Sequence, residues 1–166
     1  TRKIAVLAAD GVDGTGTRRL VEVLRDQGAI PEVLAPVDGT VTTSNDADLD
    51  VDRAIATVSS VLYDAVVIPA GEESVRTILA DGSMVNFVAE AAKHAKAVGA
   101  FGNGVEVLHK AGLAVPDVVA DEVAVNAGMV VTTAGDNSLP DEFLTAFVSE
   151  VGKHRAWERD TKVIRA

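Results

Sequence analysis

Apolar positions along the chain fall into two alternating kinds of segment. Short unbroken runs are separated by longer stretches in which apolar residues recur every three or four positions. The runs KIAVLAAD (3–10), IPEVLAP (30–36), LYDAVVIPAG (62–71), AVGAF (97–101) and GMVVTTAG (128–135) close on turn residues and predict buried strands. The periodic stretches predict the helices between them. In TRRLVEVLRDQGA (17–29), Leu20, Val21 and Leu24 share one face and Gly28 ends the helix. Residues 72–96 give two helical pieces divided at Asp81-Gly82, with Met84, Phe87, Val88 and Ala91 on one stripe of the second. GVEVLHKAGL (104–113) and SLPDEFLTAFVSEVGKHRAW (138–157) complete the set. The last carries a stripe of Phe143, Leu144, Phe147, Val148 and Val151, with Pro140 suited to a first turn. Residues 37–56 are polar and turn-rich, and predict a small β-excursion near residues 38–53 with Asp38-Gly39 as its hairpin signal. The tail ERDTKVIRA (158–166) is polar and is expected on the surface.

Strands alternating with helices at this spacing predict an α/β fold: a doubly wound, mostly parallel sheet in a three-layer α/β/α arrangement. No long repeat, low-complexity tract or linker interrupts the 166 residues, so one domain over 1–166 is expected. Composition sharpens this. Aromatic residues are only 4%, so Val, Ala, Leu and Ile must fill the core, as in a buried parallel sheet. The net charge of −10 opposes phosphate backbones and anionic membranes, which argues against a nucleic-acid or membrane partner. With no cysteine, disulfides and thiolate catalysis are excluded. No apolar run is long enough to span a bilayer. The chain opens directly on a strand, as an excised domain or a cytoplasmic protein would.

Three strand-to-helix turns qualify as sites. In GVDGTG (11–16), helix amides and glycines could hold an anion. However, Thr17-Arg18 stands where a P-loop needs Lys-Ser/Thr, and Arg19 stands at the third glycine of a dinucleotide fingerprint. The loop bears a faint likeness to a flavodoxin phosphate loop, but the later loops nearly lack the aromatic rings a flavin would need, and a flexible cap is the simpler account. At IPAGEES (68–74), Glu72 and Glu73 could act as general bases. Acids in a helix's first turn also simply favour its dipole. VGAFGNGVEVL (98–108) has the form of a nucleophile elbow, yet its apex offers only Phe101, Gly102 and Asn103. His94, His109 and His154 lie in predicted helices beside lysines, and none pairs with another at i, i+4. No catalytic, cofactor-binding or metal-binding residue is therefore assigned.

The order of YDAVVIPAG, helices, GAFGNGVEVL and helix resembles the ThiJ/PfpI and class I glutamine amidotransferase-like superfamily, whose fold is flavodoxin-like. Active members carry a cysteine in the elbow, usually followed by histidine and glycine. Laid on that motif, Gly102 takes the cysteine position, Asn103 the histidine, and Gly104 keeps the glycine. The family's acidic partner would fall near Gly11 to Asp13. Hydrolase, protease or glyoxalase activity does not carry over.

A narrower resemblance covers almost the whole chain. TRKIAVLAADGVDG (1–14), the stretch from Val41 to Gly71 and the ending KHRAWERDTKVIRA (153–166) are similar to the C-terminal domain of large-subunit haem catalases. The resemblance implies a non-catalytic accessory domain of a longer chain that decomposes hydrogen peroxide at a haem held elsewhere. Its implied partners are the catalase core, its tetramer and, through chaperone-like behaviour, unfolded client proteins. Trp157 is expected either on the docking face or as a cap on the domain's own core. The alternative is a stand-alone ThiJ/PfpI-type hydrolase or glyoxalase with a relocated nucleophile. A flavin binder is a third possibility, testable by the colour of the purified protein.

Overall fold

The computed structural model describes residues 1–135 and 138–166. The apolar runs form strands β1 (Lys3–Leu7), β2 (Ile30–Ala35), β6 (Ala65–Ile68), β7 (Ala97–Phe101) and β9 (Met129–Thr132). The excursion supplies β3 (Gly39–Thr42), β4 (Asp48–Val51) and the two-residue β5 (Arg53–Ala54), and β8 (Val123–Asn126) precedes β9. One seven-stranded sheet has the order β5-β2-β1-β6-β7-β9-β8, parallel throughout except for β8; β3 and β4 form a separate antiparallel pair. Pro31 is tolerated in β2 because its outer neighbour β5 pairs only with Leu34 and Ala35.

Side chains alternate across the sheet. Ile4 and Val6 face helices α1 (Gly14–Asp26) and α5 (Asp141–Gly152), packing with Leu20, Leu24, Phe143 and Phe147. Ala5 and Leu7 face α2 (Glu72–Ala80), α3 (Gly82–Lys93) and α4 (Val105–Lys110), among Ile78, Met84, Phe87 and Leu108. This is the expected three-layer α/β/α fold. Asp81 divides α2 from α3 as anticipated, its Oδ1 accepting from the amides of Ser83 and Met84. Gly99 leaves room on β7 for the Phe147 ring, since a Cβ there would lie 2.9 Å from Cδ1. Phe143 meets Phe101 edge-on at 5.5 Å and completes this aromatic cluster. No helix among the described residues is long and apolar enough to cross a membrane.

Four expectations are corrected. The hairpin of the excursion turns at residues 43–47 rather than at Asp38-Gly39; Asp38 instead accepts from the Ala54 amide at 2.8 Å. Strand β8 was not expected, because its apolar run is only three residues, Val123 to Val125, and lies half-buried or exposed on the sheet edge. Pro140 is the cap before α5 rather than a first-turn residue, and α5 stops at Gly152, leaving His154 beyond it at φ +71°. Finally, the polar tail is not all surface: Arg159 and Ile164 are buried.

A charged group also sits inside the sheet's margin. Glu32 accepts from the Tyr63 hydroxyl at 2.6 Å and pairs with Lys3 at 2.9 Å. Burial pushes its carboxyl upward, but the donations from Tyr63 and Lys3 outweigh this and hold it below the ordinary glutamate range. A depressed carboxyl contributes stability that is present above its unfolded pKa and lost as pH falls through the folded one. Glu32→Gln should therefore lower stability at pH 7 by about 1 kcal/mol, and should make urea midpoints fall less steeply between pH 7 and about pH 3. Parallel acid limbs for the two proteins would refute this role.

Candidate functional site

The sheet order reverses between β1 and β6, and loops leaving the carboxyl ends of β1, β6, β7 and β9 meet there. They enclose a cleft of about 690 Å³ lined by Gly11, Gly71, Gly102, Asn103, Thr133 and Gly135, with Ser44 contributed by the hairpin. Glu72, Glu73 and Glu106 add three exposed carboxylates to its rim. Glu72 and Glu73 occupy the first turn of α2 and Glu106 that of α4, so each also favours a helix dipole.

The elbow is built as the sequence suggests. After β7 the chain bends through a short 3-10 turn at Gly102–Gly104 into α4, with Gly102 at φ +57°. An L-residue is strained in that conformation. The apex is also closed: a Cβ on Gly102 would lie 2.6 Å from Ala70 Cβ and 3.4 Å from Gly135 Cα. The volume a reactive side chain would occupy is thus filled by β6–α2 and β9–α5 loop atoms. Asn103 faces neighbouring backbone instead, its Oδ1 accepting from the Gly71 amide at 2.9 Å. Ala70 and Gly135 went unnoticed in the sequence, because only the strand order brings their loops to the apex.

The glycine loop after β1 is committed to its own structure. Asp13 is fully buried and caps α1, its Oδ1 accepting from the Gly16 amide at 3.1 Å. A carboxylate already seated at that helix start opposes a phosphate there. Asp13 is also the acid that falls in the region of the superfamily's acidic partner. Its Oδ2, like Thr17 Oγ1, is buried without a hydrogen-bond partner among the described residues.

The three histidines do not join the cleft. His94 follows α3, His109 lies in α4 and His154 follows α5, all exposed. Among the described residues, no group of three histidine or carboxylate side chains is placed to hold a metal ion. Trp157 is 81% exposed, so it does not cap the domain's own core.

A family model described as the C-terminal domain found in long catalases matches residues 1–161. The chain is 45% identical over 167 residues to catalase HPII of Mycobacterium avium, with all of this chain aligned to 24% of that protein. Against catalase HPII of Pseudomonas putida the identity is 30% over 163 residues, covering 96% of this chain and 20% of the relative. The chain thus spans between a fifth and a quarter of these relatives' length. Among solved structures, a two-domain protein of Anabaena variabilis with DJ-1/ThiJ/PfpI-like and ferritin-like domains superposes at a TM-score of 0.81 and 22% identity, covering 100% of this chain and 52% of that one. That likeness concerns the fold. The chain itself belongs to the family of C-terminal domains found in long catalases.

Proposed function

We propose that the 166 residues form one accessory domain of a long catalase and carry no chemistry of their own. The match of residues 1–161 to the C-terminal domain of long catalases carries this reading. The closed apex at Gly102 supports its second half: an elbow can aim helix amides at an oxyanion, but the apex itself carries no side chain to attack a carbonyl. The domain's task is to pack against the peroxide-decomposing core, stabilise the tetramer and present apolar surface to unfolded client chains. Lacking cysteines, it folds equally well in the reducing cytoplasm, where we place it.

The cleft does not suit a haem. Three carboxylates rim it, and none of the described residues lining it is a histidine, cysteine, methionine or tyrosine able to serve as an axial ligand. A haem of the long protein belongs to another part of that chain. The acidic rim likewise opposes a flavin phosphate.

Peroxide decomposition by the long protein with and without these residues tests the proposal. Deletion should leave turnover per haem within about twofold while hastening thermal inactivation and tetramer dissociation. The 166-residue chain alone should show no glyoxalase or esterase turnover. Turnover abolished by Ser44→Ala or Thr133→Val, the hydroxyls lining the cleft, would instead establish a stand-alone enzyme.

A further inference from the structure

At the end of the sheet opposite the cleft, where the parallel strands begin, the surface has a different character. Trp157 is 81% exposed there, the one tryptophan of the chain. It is held in place through its neighbour, since the Ala156 amide donates to the Ala95 carbonyl at 2.6 Å, just before β7. Ile30, 48% exposed, opens β2, and its amide donates to the Arg2 carbonyl. Val61 and Leu62, 74% and 52% exposed, follow Ser60, whose carbonyl accepts from Lys96 Nζ. Four large apolar side chains from three segments thus share one pole.

Two arginines that make no salt bridge among the described residues accompany them, although Asp64 and Glu158 belong to the same segments. Arg2 Nη1 lies 2.7 Å from His154 Nδ1, and Arg155 Nη1 lies 3.3 Å from the same nitrogen. Neither arginine pairs with a carboxylate among the described residues. This stands out in a chain of net charge −10. His154 is also held at φ +71°, a conformation that costs about 1 kcal/mol for a non-glycine residue and is retained where surrounding structure or function requires it. An exposed tryptophan with two arginines that make no salt bridge has the composition of an interface centre, in which Trp and Arg are enriched.

We propose that this pole, centred on Trp157 with Arg2, Arg155, Ile30, Val61 and Leu62, docks an apolar patch bearing carboxylates on the catalase portion of the same long chain. The inference rests on the proposed accessory role and adds the docking face and the partner's chemistry. Charge complementarity favours such a partner: each unpaired guanidinium would gain a carboxylate out of water. Continuity of the polypeptide favours it too. In the long relatives the remainder of the chain joins ahead of this domain, and Thr1 lies at this same pole, next to Arg2.

Hydrogen exchange in the intact long protein, set against the 166-residue chain alone, is the test. Amides of residues 1–3, 60–64 and 153–158 should exchange at least about tenfold more slowly in the long protein. Arg155→Glu and Trp157→Ala in the long protein should each abolish that protection, while Val119→Ala, at an exposed site elsewhere, should leave it intact. Both altered side chains are exposed or half-exposed, so the domain's own fold, followed by circular dichroism, should survive. Protection appearing at residues 71–73 and 133–135 instead would overturn this docking face while leaving the accessory role standing. Protection that grows with the concentration of the 166-residue chain would make a second copy the occupant and also overturn it. A long protein with no catalase segment ahead of Thr1 would remove the accessory role and the docking face together.

Discussion

Gly104→Ala is expected to destabilise the protein by about 3 kcal/mol, an overpacking cost at the upper end of the usual range. The reason is purely steric. Gly104 has ordinary helical dihedrals at the start of α4, φ −56° and ψ −25°, so alanine suits its backbone. But a Cβ there would lie 2.3 Å from the Ile68 carbonyl oxygen and 2.9 Å from that of Pro69. Those oxygens close β6, a strand paired on both sides and held by the central sheet. They do not yield as a flexible side-chain tip would. Relief requires α4 to lift off the sheet, and Val107 and Leu108, both fully buried, would lose their packing with it. In a chain of this size the loss corresponds to a melting point lower by about 6–12 °C. Gly82→Ala provides the contrast. It opens α3 with open space around its missing Cβ, so the same substitution should stabilise slightly, by up to about 0.5 kcal/mol. If both variants melted with the parent protein, the elbow's glycines would have no role in helix-to-sheet approach.

The same contacts give the elbow a structural use. The bend at Gly102 and the contact at Gly104 keep strand and helix close, while Asn103 ties the apex to the neighbouring turn at Gly71. Under the proposed accessory role, that packing is reason enough to keep the bend without a reactive apex.

The chain disclosed its layers because its buried strands are continuous apolar runs and its helices carry single stripes, such as Leu20-Val21-Leu24. It disclosed the elbow because glycines flank a strand end. What stayed hidden depends on partners distant in sequence. Strand β8 is half-exposed and defined by pairing with β9 through the Ala127-Gly128 turn, both residues at positive φ, a hairpin signal spelled Asn-Ala-Gly rather than Asn-Gly. Asp38-Gly39 misled because aspartate caps chain ends as readily as it forms hairpin turns. Ala70, which closes the apex, is an unremarkable small residue until the sheet order sets it beside Gly102. Arg159 misled most, since an arginine in a polar tail reads as solvent-exposed.

Arg159→Met should be nearly as costly as the elbow substitution, at about 3 kcal/mol. Arg159 is 8% exposed, and its guanidinium reaches carbonyls from two separate regions of the fold. Nε donates to Ala127 at 2.9 Å; Nη1 donates to Ala92 at 3.0 Å and to Lys96 at 2.7 Å. One side chain thereby joins the end of α3, the entry to β7 and the β8–β9 turn to the tail that bears Trp157. Burial pushes its pKa down to about 10, with Glu158 and Glu150 drawing it back up, so it remains a cation at pH 7. Methionine would fill much of the same volume but donate nothing, so the buried Ala92 and Lys96 carbonyls and the half-buried Ala127 carbonyl would each lose a donor, Ala92 keeping only its bond from the Ala95 amide. Lysine would keep the charge but lose the planar fork that reaches both sides at once, so Arg159→Lys should recover only part of the loss. Limited proteolysis distinguishes a strap from a merely buried residue. Cleavage in Arg159→Met should begin within residues 153–166 well below the melting temperature, whereas the parent tail stays intact. Tail cleavage no earlier than global unfolding would mean that Arg159 stabilises the fold without holding the Trp157 segment in place.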